Sequence, residues 1–504
     1  MKRLLFICLA SVVFLGALSG SGQLCAQTQA SAPETSVAQT SIAKTWQQIP
    51  IPQLPAFHPQ KPKRVELGNG MVIFLQEDHE LPLIDGVARI RGGERSVPAN
   101  KSGLIEIYGE VWRTGGTKSQ TGDQMDDYLE QRAAKVETAG TVDSTSISWS
   151  CLKEDFDDVF RVFEDLLRNP EFRADKIEIA QKGSYDAISR RNDEPAQIAG
   201  REAAKLVYGA KSPYARVPEY ATVAAVTRQD LVAWHSKYVY PNNIIVGVVG
   251  DFDAAKMEAR LREAFASWPR GEAAHDAEFK PEPVKPGYYE VDKTDVNQSN
   301  IQMVALGIRR DNPDYFAASV FNEAFGGGFS SRLFGDIRTS KGLAYAVGGG
   351  VGSAFDHPGM MRMMVSTKSK TTVESILALD EEMNELGKRP IDDEEIKRAK
   401  DAILNSFVFR FDSPEKVLHE QMAYEFYGYP LDFLETFQKK IETVNKEDVA
   451  RVAAKYIHPN QMAVLVVGNT GQFDKPLSSL GTVTKLDIAI PAPPPGLVPQ
   501  QGGP

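Results

Sequence analysis

The chain contains one stretch twice: residues 226–250 read VTRQDLVAWHSKYVYPNNIIVGVVG, and residues 444–468 read VNKEDVARVAAKYIHPNQMAVLVVG. The two align without a gap at an offset of 218 residues (444 − 226). Each copy predicts a helix, a turn at the shared Pro-Asn pair and a buried strand. Because this period far exceeds that of solenoid repeats, we interpret it as duplication of a whole domain.

A second echo lies upstream of each copy, where Arg191-Asn-Asp-Glu-Pro195 matches Arg410-Phe-Asp-Ser-Pro414 at an offset of 219 (410 − 191). The predicted fold class is α+β, with two tandem homologous domains, each a mainly antiparallel sheet with helices packed on one side. Composition shifts predict the following boundaries: a first domain at 63–267, a Pro- and Gly-rich linker at 268–287, a second domain at 288–482 and a Pro/Gly-rich tail at 483–504.

Hydrophobic periodicity places the elements of the first domain. Residues 65–75 predict a hairpin with its turn at Asn69-Gly70, and Leu83 to Arg91 alternates as a strand. A helix is expected from about Ser102 to Arg113. Further strands are expected within 135–152 and helices near 154–167 and 173–191.

Composition and charge narrow the function classes. The chain has 504 residues, 42% of them hydrophobic, and a formal net charge of −10. No Lys/Arg block occurs beyond the N-terminus, so a nucleic-acid partner is not expected. Cys151, in an alternating run, is expected to be a buried structural thiol rather than a nucleophile.

The N-terminus has the pattern of a secretion signal. Lys2 and Arg3 precede an apolar stretch too short to span a membrane comfortably, and Ala26 is a candidate cleavage position. We therefore expect a signal peptide at 1–26, a flexible leader with a proline-containing arm at 27–62, a periplasmic location and no stable membrane span after cleavage. A retained anchor is the alternative. Lipidation of Cys25 is disfavoured because the preceding residue, Leu24, is not small.

Two further stretches carry a family resemblance: GLIEIYGEVWRTGGT at 103–117 and FGGGFSSRLFGDIRTSKGLAY at 325–345. Together with the duplicated segment, they resemble the pitrilysin/insulinase family of zinc peptidases, in its short two-domain, processing-peptidase-like form. The resemblance runs from about residue 64 to 470. It implies an inverted H-x-x-E-H helix motif, in which two His bind zinc, the Glu is the general base and a later helix adds a Glu ligand.

This sequence departs from that motif at every implied position. Glu106 and Glu110 stand where the two His belong, Gly109 where the base belongs, and Ala187 where the third ligand belongs. We therefore expect no metal and no catalytic residue in this chain. Glu106 and Glu110 are spaced i,i+4 and could together bind a hard cation, but solvated or Arg-paired carboxylates are the simpler interpretation. For the seven His residues, ordinary surface or capping roles are expected.

The second motif is intact. The resemblance implies that an Arg and a Tyr after the glycine-rich loop contact the peptide and the oxyanion that forms on its scissile carbonyl; the matching residues are Arg338 and Tyr345. Gly326, Gly327 and Gly328 suit close backbone approach to substrate.

The combination resembles the zinc-less subunit of a heterodimeric peptidase. On this hypothesis, a zinc-bearing paralogous subunit is the partner, an extended peptide is the substrate, and Arg338 and Tyr345 complete the partner's site. One alternative is a non-proteolytic scaffold or assembly protein. Another is an active zinc peptidase with an atypical site.

Overall fold

A computed structural model describes residues 60–275 and 279–496 of the chain. The first sheet has six strands in the order β1-β2-β6-β3-β5-β4, and all its neighbours are antiparallel except β2 and β6. These strands are β1 (Lys63–Glu66), β2 (Val72–Glu77), β3 (Leu83–Arg91), β4 (Lys135–Gly140), β5 (Ser144–Leu152) and β6 (Ile244–Gly250).

Eight helices accompany this sheet within the described residues. They are α1 (Leu104–Thr114), α2 (Gly122–Glu130), α3 (Phe156–Arg168), α4 (Ala174–Arg190), α5 (Pro195–Tyr208), α6 (Tyr220–Ala224), α7 (Arg228–Tyr238) and α8 (Ala254–Phe265). The predicted elements of this half are confirmed: β1 and β2 form the hairpin, with Gly70 at φ +87° in its turn, and β3 has the predicted bounds.

The second sheet has six strands in the order β10-β12-β8-β13-β7-β14, while β9 and β11 form a separate parallel pair. The strands of this half are β7 (Gly287–Asp292), β8 (Gln298–Leu306), β9 (Ile308–Arg309), β10 (Ala346–Gly350), β11 (Ser353–Ala354), β12 (Met360–Lys368), β13 (Ala463–Gly468) and β14 (Val483–Lys485). Its helices are α9 (Tyr315–Asn322), α10 (Thr372–Glu385), α11 (Asp393–Phe407), α12 (Pro414–Tyr427), α13 (Phe433–Thr443) and α14 (Lys446–Tyr456).

Five of the six strands in each sheet have the same connectivity, which confirms the duplication. The order β2-β6-β3-β5-β4 of the first sheet recurs as β7-β13-β8-β12-β10 in the second, including the single parallel neighbour at the same place. The repeated stretches form α7 with β6 and α14 with β13, and both strands are fully buried. Neighbouring strands in this order come from distant parts of the sequence, so the order recurs only if the whole domain is copied.

One helix of each half crosses to the sheet of the other half. Helix α12 packs Leu418, Met422 and Phe426 on the face of the first sheet that its own helices leave uncovered. Helix α5 does the same on the second sheet with Ile198 and Ala203. The prediction of helices on one side therefore applies to each half's own helices, and the opposite face is covered by exchange. The two halves share these apolar contacts, which cover β2 and β6 of the first sheet and β8 and β13 of the second.

The tail predicted from residue 483 is ordered at its start. Val483–Lys485 is a strand, β14, that pairs in parallel with β7. Leu486 and Ile488 then pack beside the second sheet, Asn192 Nδ2 donates to the Ile488 carbonyl oxygen at 2.7 Å, and Ile490 reaches the core of the first half. The sequence did not predict β14 because the strand has only three residues. At the other predicted boundary, β7 begins at Gly287, the last residue assigned to the linker.

The predicted signal peptide, Cys25 and the leader up to residue 59 lie outside the described residues, as do residues 497–504. Within 60–275 and 279–496, no helix is both long and apolar enough to cross a membrane. Cys151 is buried as predicted, and burial raises the pKa of its thiol to about 12. A thiol that is neutral at physiological pH is a poor nucleophile.

Candidate functional site

Helix α1 and strand β4 form a groove at the edge of the first sheet. Strand β4 is the last strand of its sheet and pairs only with β5 among the described strands. A cavity of about 340 Å³ lies between it and α1, and Glu106, Gly109 and Glu110 line it. The three positions that sequence matching singled out are thus together at one site, beside an edge strand with room for an extended chain.

Gly109, at the position of the general base, lies against the backbone of β4. A Cβ placed there would be 2.5 Å from the Gly140 nitrogen and 2.8 Å from the Ala139 carbonyl carbon. The Thr138 hydroxyl donates to the Gly109 carbonyl oxygen and holds the helix at this distance. Since backbone atoms cannot move aside cheaply, the position has no room for a carboxylate side chain.

Glu106 and Glu110 are both exposed on the outer face of α1. Partial burial and the negative charge of Glu106 raise the pKa of Glu110 above its usual value. A bound cation or a paired Arg would have the opposite effect on that pKa. In the described residues neither carboxylate has a hydrogen bond or ion pair to another side chain, so the two form a like-charged i,i+4 pair.

The third ligand position, Ala187, is exposed on α4, a helix that packs against α1. No group of three or more His, Cys, Asp or Glu within the described ranges is placed to hold a metal ion. Two carboxylates, a glycine and an alanine do not fit a hydrolytic zinc site, which takes three protein ligands, usually with nitrogen or sulfur donors among them. The residues present therefore give zinc no place in this half.

His235 was expected to have an ordinary surface or capping role, but it makes a specific contact with α1. The side chain is half-buried, Tyr108 Oη lies 2.8 Å from His235 Nδ1, and the Trp112 ring packs edge-on at 5.6 Å. Burial lowers the pKa of His235 to about 4, so the ring is neutral at pH 7. It anchors the inner face of α1 in the core and faces away from the groove. The apolar neighbours of His235 in the sequence gave no sign of this contact.

The glycine-rich loop of the second half repeats the glycine contact. A Cβ on Gly326 would be 2.5 Å from the Gly349 carbonyl oxygen of β10, the edge strand that corresponds to β4. Gly326 lies in the π-helical segment Glu323–Gly327, which continues α9. The helix and the edge strand are thus packed backbone to backbone in both halves, at Gly109 with β4 and at Gly326 with β10.

Arg332 of the same motif has a structural role that the sequence did not reveal. Its buried guanidinium forms two hydrogen bonds with Glu395, at 3.0 and 2.5 Å, and donates to the carbonyl oxygens of Arg389 and Pro390. Glu395 also completes the capping box of α11 through the Asp392 N–H. Arg332 therefore fixes the glycine-rich loop to the start of α11. A full set of charged hydrogen bonds makes this burial stable.

Arg338 and Tyr345, in contrast, are exposed. Arg338 lies in the π-helical segment Phe334–Ser340, with its guanidinium carbon 4.6 Å from the centre of the Phe334 ring. Phe329, 83% exposed, packs edge-on against the same ring. Tyr345 is 52% exposed, and its backbone N–H donates to the Ser366 carbonyl oxygen of β12. Both polar groups are available to a ligand in the described part of the chain.

A cavity of about 710 Å³ lies between the start of α5 and strands β8 and β12 of the second half. Ser366, which accepts the Tyr345 N–H, lines it together with Glu194 and Pro195, the residues that begin α5. Helix α5 directly follows α4, the helix of Ala187. The cavity is therefore formed by both halves, and it is separate from the α1–β4 groove.

Two family descriptions match the chain. Residues 90–208 match insulinase (peptidase family M16), and residues 225–403 match the peptidase M16 inactive domain. The first range contains the α1–β4 groove, and the second contains the glycine-rich loop and Arg338. The sequence matches therefore cover both candidate regions.

Curated relatives and solved structures span most of the chain. It is 23% identical to the non-peptidase homolog YmxG of Helicobacter pylori, over 79% of this chain and 91% of the relative. It is 20% identical to the uncharacterized zinc protease YmxG of Bacillus subtilis, over 80% and 98%. The crystal structure of the peptidase M16 inactive domain from Pseudomonas fluorescens has a TM-score of 0.73 at 23% identity, covering 82% of this chain and all of that one. At such identity the structural likeness shows the fold.

Proposed function

Because this chain belongs to the insulinase family of peptidases, M16, as a member without the family's zinc-binding residues, we propose that it acts as the non-catalytic subunit of a heteromeric peptidase. The observation that supports this most is the contrast between its two motifs. The α1–β4 groove has Glu106, Gly109 and Glu110 where the chemistry would need other residues, while Arg338 and Tyr345 remain exposed. On its own, the chain would lack peptidase activity.

The substrate in this proposal is an extended peptide. Strands β4 and β10 are both at the edge of a sheet, so each has a side that can pair with an added strand. Main-chain pairing requires no particular sequence, which suits a subunit that holds a peptide rather than cutting it. The groove beside β4 has a volume of about 340 Å³, which leaves room for side chains of the added strand.

Arg338 and Tyr345 would complete the site of a zinc-bearing paralogous subunit. The guanidinium offers several N–H donors in a fixed plane, and the phenol offers one O–H donor. Donors of this kind act on charge that develops at a scissile carbonyl. Their exposure in this chain supports a role toward a ligand or partner, since a structural Arg in the same motif, Arg332, is buried and fully bonded.

The test is peptide hydrolysis by the co-purified pair of this chain and a paralogue with an intact H-x-x-E-H. We expect Arg338→Ala and Tyr345→Phe each to lower kcat/KM by about 10² to 10³-fold, as loss of one such donor does. Arg398→Ala is the matched control, because Arg398 is exposed on α11 and paired only with Glu394 at 3.7 Å. Full activity of both variants would remove the complementation.

A non-proteolytic scaffold is the second candidate, favoured by the name of the Helicobacter pylori relative, a non-peptidase homolog. It predicts an assembly whose peptide turnover does not change with Arg338 or Tyr345. Metal analysis of the purified chain addresses the remaining alternative, an atypical peptidase. One tightly bound zinc per chain, with hydrolysis in the absence of a partner, would refute the non-catalytic assignment.

Export is the last part of the proposal and is supported by the N-terminal pattern alone. Cleavage after Ala26 would yield a mature chain that begins at Gln27 in the periplasm. Cell fractionation with mass spectrometry of the mature N-terminus tests this. An intact Met1 on a cytosolic chain would contradict export, and a lipid on Cys25 would replace free solution with membrane anchoring.

A further inference from the structure

A second-half cavity of about 410 Å³ lies apart from both motifs. It is enclosed by α9, α11, α12 and α13 and lined by six aromatic rings: Tyr315, Phe407, Phe411, Tyr424, Phe433 and Phe437. Its volume is within the range of small-ligand sites, and an aromatic wall with a few polar groups is their usual lining. The family matches and the proposed function assign it no role.

Three cations line this cavity against one acid. Lys416 is neutralised by Asp412, 2.6 Å away, and Arg310 lies 4.0 Å from Glu420, the acid in the lining. Arg410 has no hydrogen bond or ion pair within the described residues. The pairing therefore leaves one positive charge without a counter-charge. Glu323 is close enough for Arg410 to affect its pKa, but the two side chains form no hydrogen bond or ion pair within the described residues.

The first half contains an Arg that corresponds to Arg410, and its contacts can be compared with those of Arg410. Arg410 matches Arg191 of the first half, whose Nη1 donates to the Pro218 carbonyl oxygen at 3.0 Å and whose Nη2 donates to Glu219 at 2.9 Å. In the second half, the same position faces the aromatic cavity and lacks such partners. The acceptors that bind Arg191 therefore have no counterpart at Arg410, which faces the cavity instead. A ligand in the cavity can supply the acceptor for Arg410.

We propose that this cavity binds a carboxylate attached to an aromatic or large apolar group, such as the C-terminal residue of a peptide. One uncompensated guanidinium matches one negative charge, and its planar fork matches the two oxygens of a carboxylate. The rings would hold the apolar part. His419 lines both this cavity and a second one on the face of the first sheet, so the two cavities are adjacent.

The test is fluorescence anisotropy of the full chain with a labelled hexapeptide that ends in phenylalanine. The free-acid peptide should bind at least about tenfold tighter than the same peptide with a C-terminal amide. Arg410→Gln should remove this difference, whereas Arg398→Gln, at an exposed Arg on α11, the helix that precedes Arg410, should keep it. Because Arg410 is exposed and unpaired, its replacement should leave the melting temperature unchanged.

Competition with N-acetylphenylalanine distinguishes the two sources of the carboxylate. Weaker competition than by the unlabelled hexapeptide assigns the site to peptide ends, and equal competition assigns it to small aromatic acids. Equal binding of acid and amide peptides, or undiminished binding to Arg410→Gln, overturns the proposal. None of these measurements requires a partner subunit, so the result is independent of the proposed peptidase role.

Discussion

The contact between a helix and an edge strand occurs once in each half, and the two copies share their backbone packing but not their side chains. Gly109 lies against β4 and Gly326 lies against β10, and neither position has room for a Cβ atom. Around Gly109 are the carboxylates of Glu106 and Glu110; after Gly326 come exposed Arg338 and Tyr345. The two halves therefore share the glycine contact but differ in the chemistry beside it. Function in this fold therefore has to be inferred from the side chains around the contact.

The largest effect on stability is expected at Arg332, which fixes the glycine-rich loop of the second half to the start of α11. Arg332→Ala would leave the mostly buried Glu395 without its ion-pair partner and break four hydrogen bonds, so we expect a loss of about 3–5 kcal/mol of unfolding free energy. Arg338→Ala, six residues on and exposed, should stay within about 0.5 kcal/mol of wild type. Urea denaturation measures both. Similar losses in the two variants would mean that Arg338 is structural.

Acid should weaken the first half through a residue that the second half lacks. At the offset of 218, Ala453 takes the place of His235. The pKa of His235 falls from 6.5 to about 4 on folding, so the unfolded chain binds its proton first. This stability is complete above pH 6.5 and is lost as pH falls toward 4. At about 1.4 kcal/mol per pKa unit, the total is about 3 kcal/mol.

Urea denaturation at several pH values between 4 and 7 tests this contribution. His235→Gln should flatten the pH dependence by up to about 1.4 kcal/mol per pH unit relative to wild type. Tyr108→Phe removes the hydroxyl that contacts His235 but keeps the ring, so it should preserve the dependence. An unchanged slope in His235→Gln would show that the imidazole is not neutral in the folded state.

Restoring the missing base should fail for lack of space. Gly109→Glu would place Cβ 2.5 Å from the Gly140 nitrogen, and we expect a loss of about 2–3 kcal/mol. Gly183→Glu is the control, since a Cβ at Gly183 on α4 meets nothing within 4 Å and the loss of a helical glycine should stabilise by up to about 1 kcal/mol. Thermal unfolding compares the two. A stable Gly109→Glu variant would mean that α1 can move off β4.

Sequence reasoning reached the parts of this structure that local patterns determine. The alternation of Leu83 to Arg91 and the turn at Asn69-Gly70 identified β3 and the first hairpin, because burial of one sheet face imposes period two. The offset of 218 identified the duplicated domain. Motif matching brought Glu106, Gly109 and Glu110 to one groove, since all three lie on one helix.

What sequence reasoning missed depends on contacts between distant segments. The apolar faces of α5 and α12 predict burial, but nothing local shows that each covers the sheet of the other half. The contact of His235 with α1 was missed for the same reason, as its partner Tyr108 lies 127 residues away. The lack of room at Gly109 is caused by Gly140, which lies on β4. The sequence shows that the Glu of the motif is absent, but it does not show that the backbone of β4 occupies the space of that side chain.

The smallest expected effect decides whether the first-half carboxylates have any role of their own. If Glu106 and Glu110 only repel each other, Glu106→Gln should stabilise the chain by about 0.2–0.5 kcal/mol and lower the pKa of Glu110 toward its usual value. Carboxyl NMR titration follows that pKa, and Glu137→Gln, at a second acid in the same groove but on β4, controls for general charge loss. If the pair instead bound a hard cation, addition of Ca²⁺ or Mg²⁺ would lower the Glu110 pKa in wild type and have no effect in Glu106→Gln. That result would give the first half a chemistry unlike the second half's Arg338 and Tyr345.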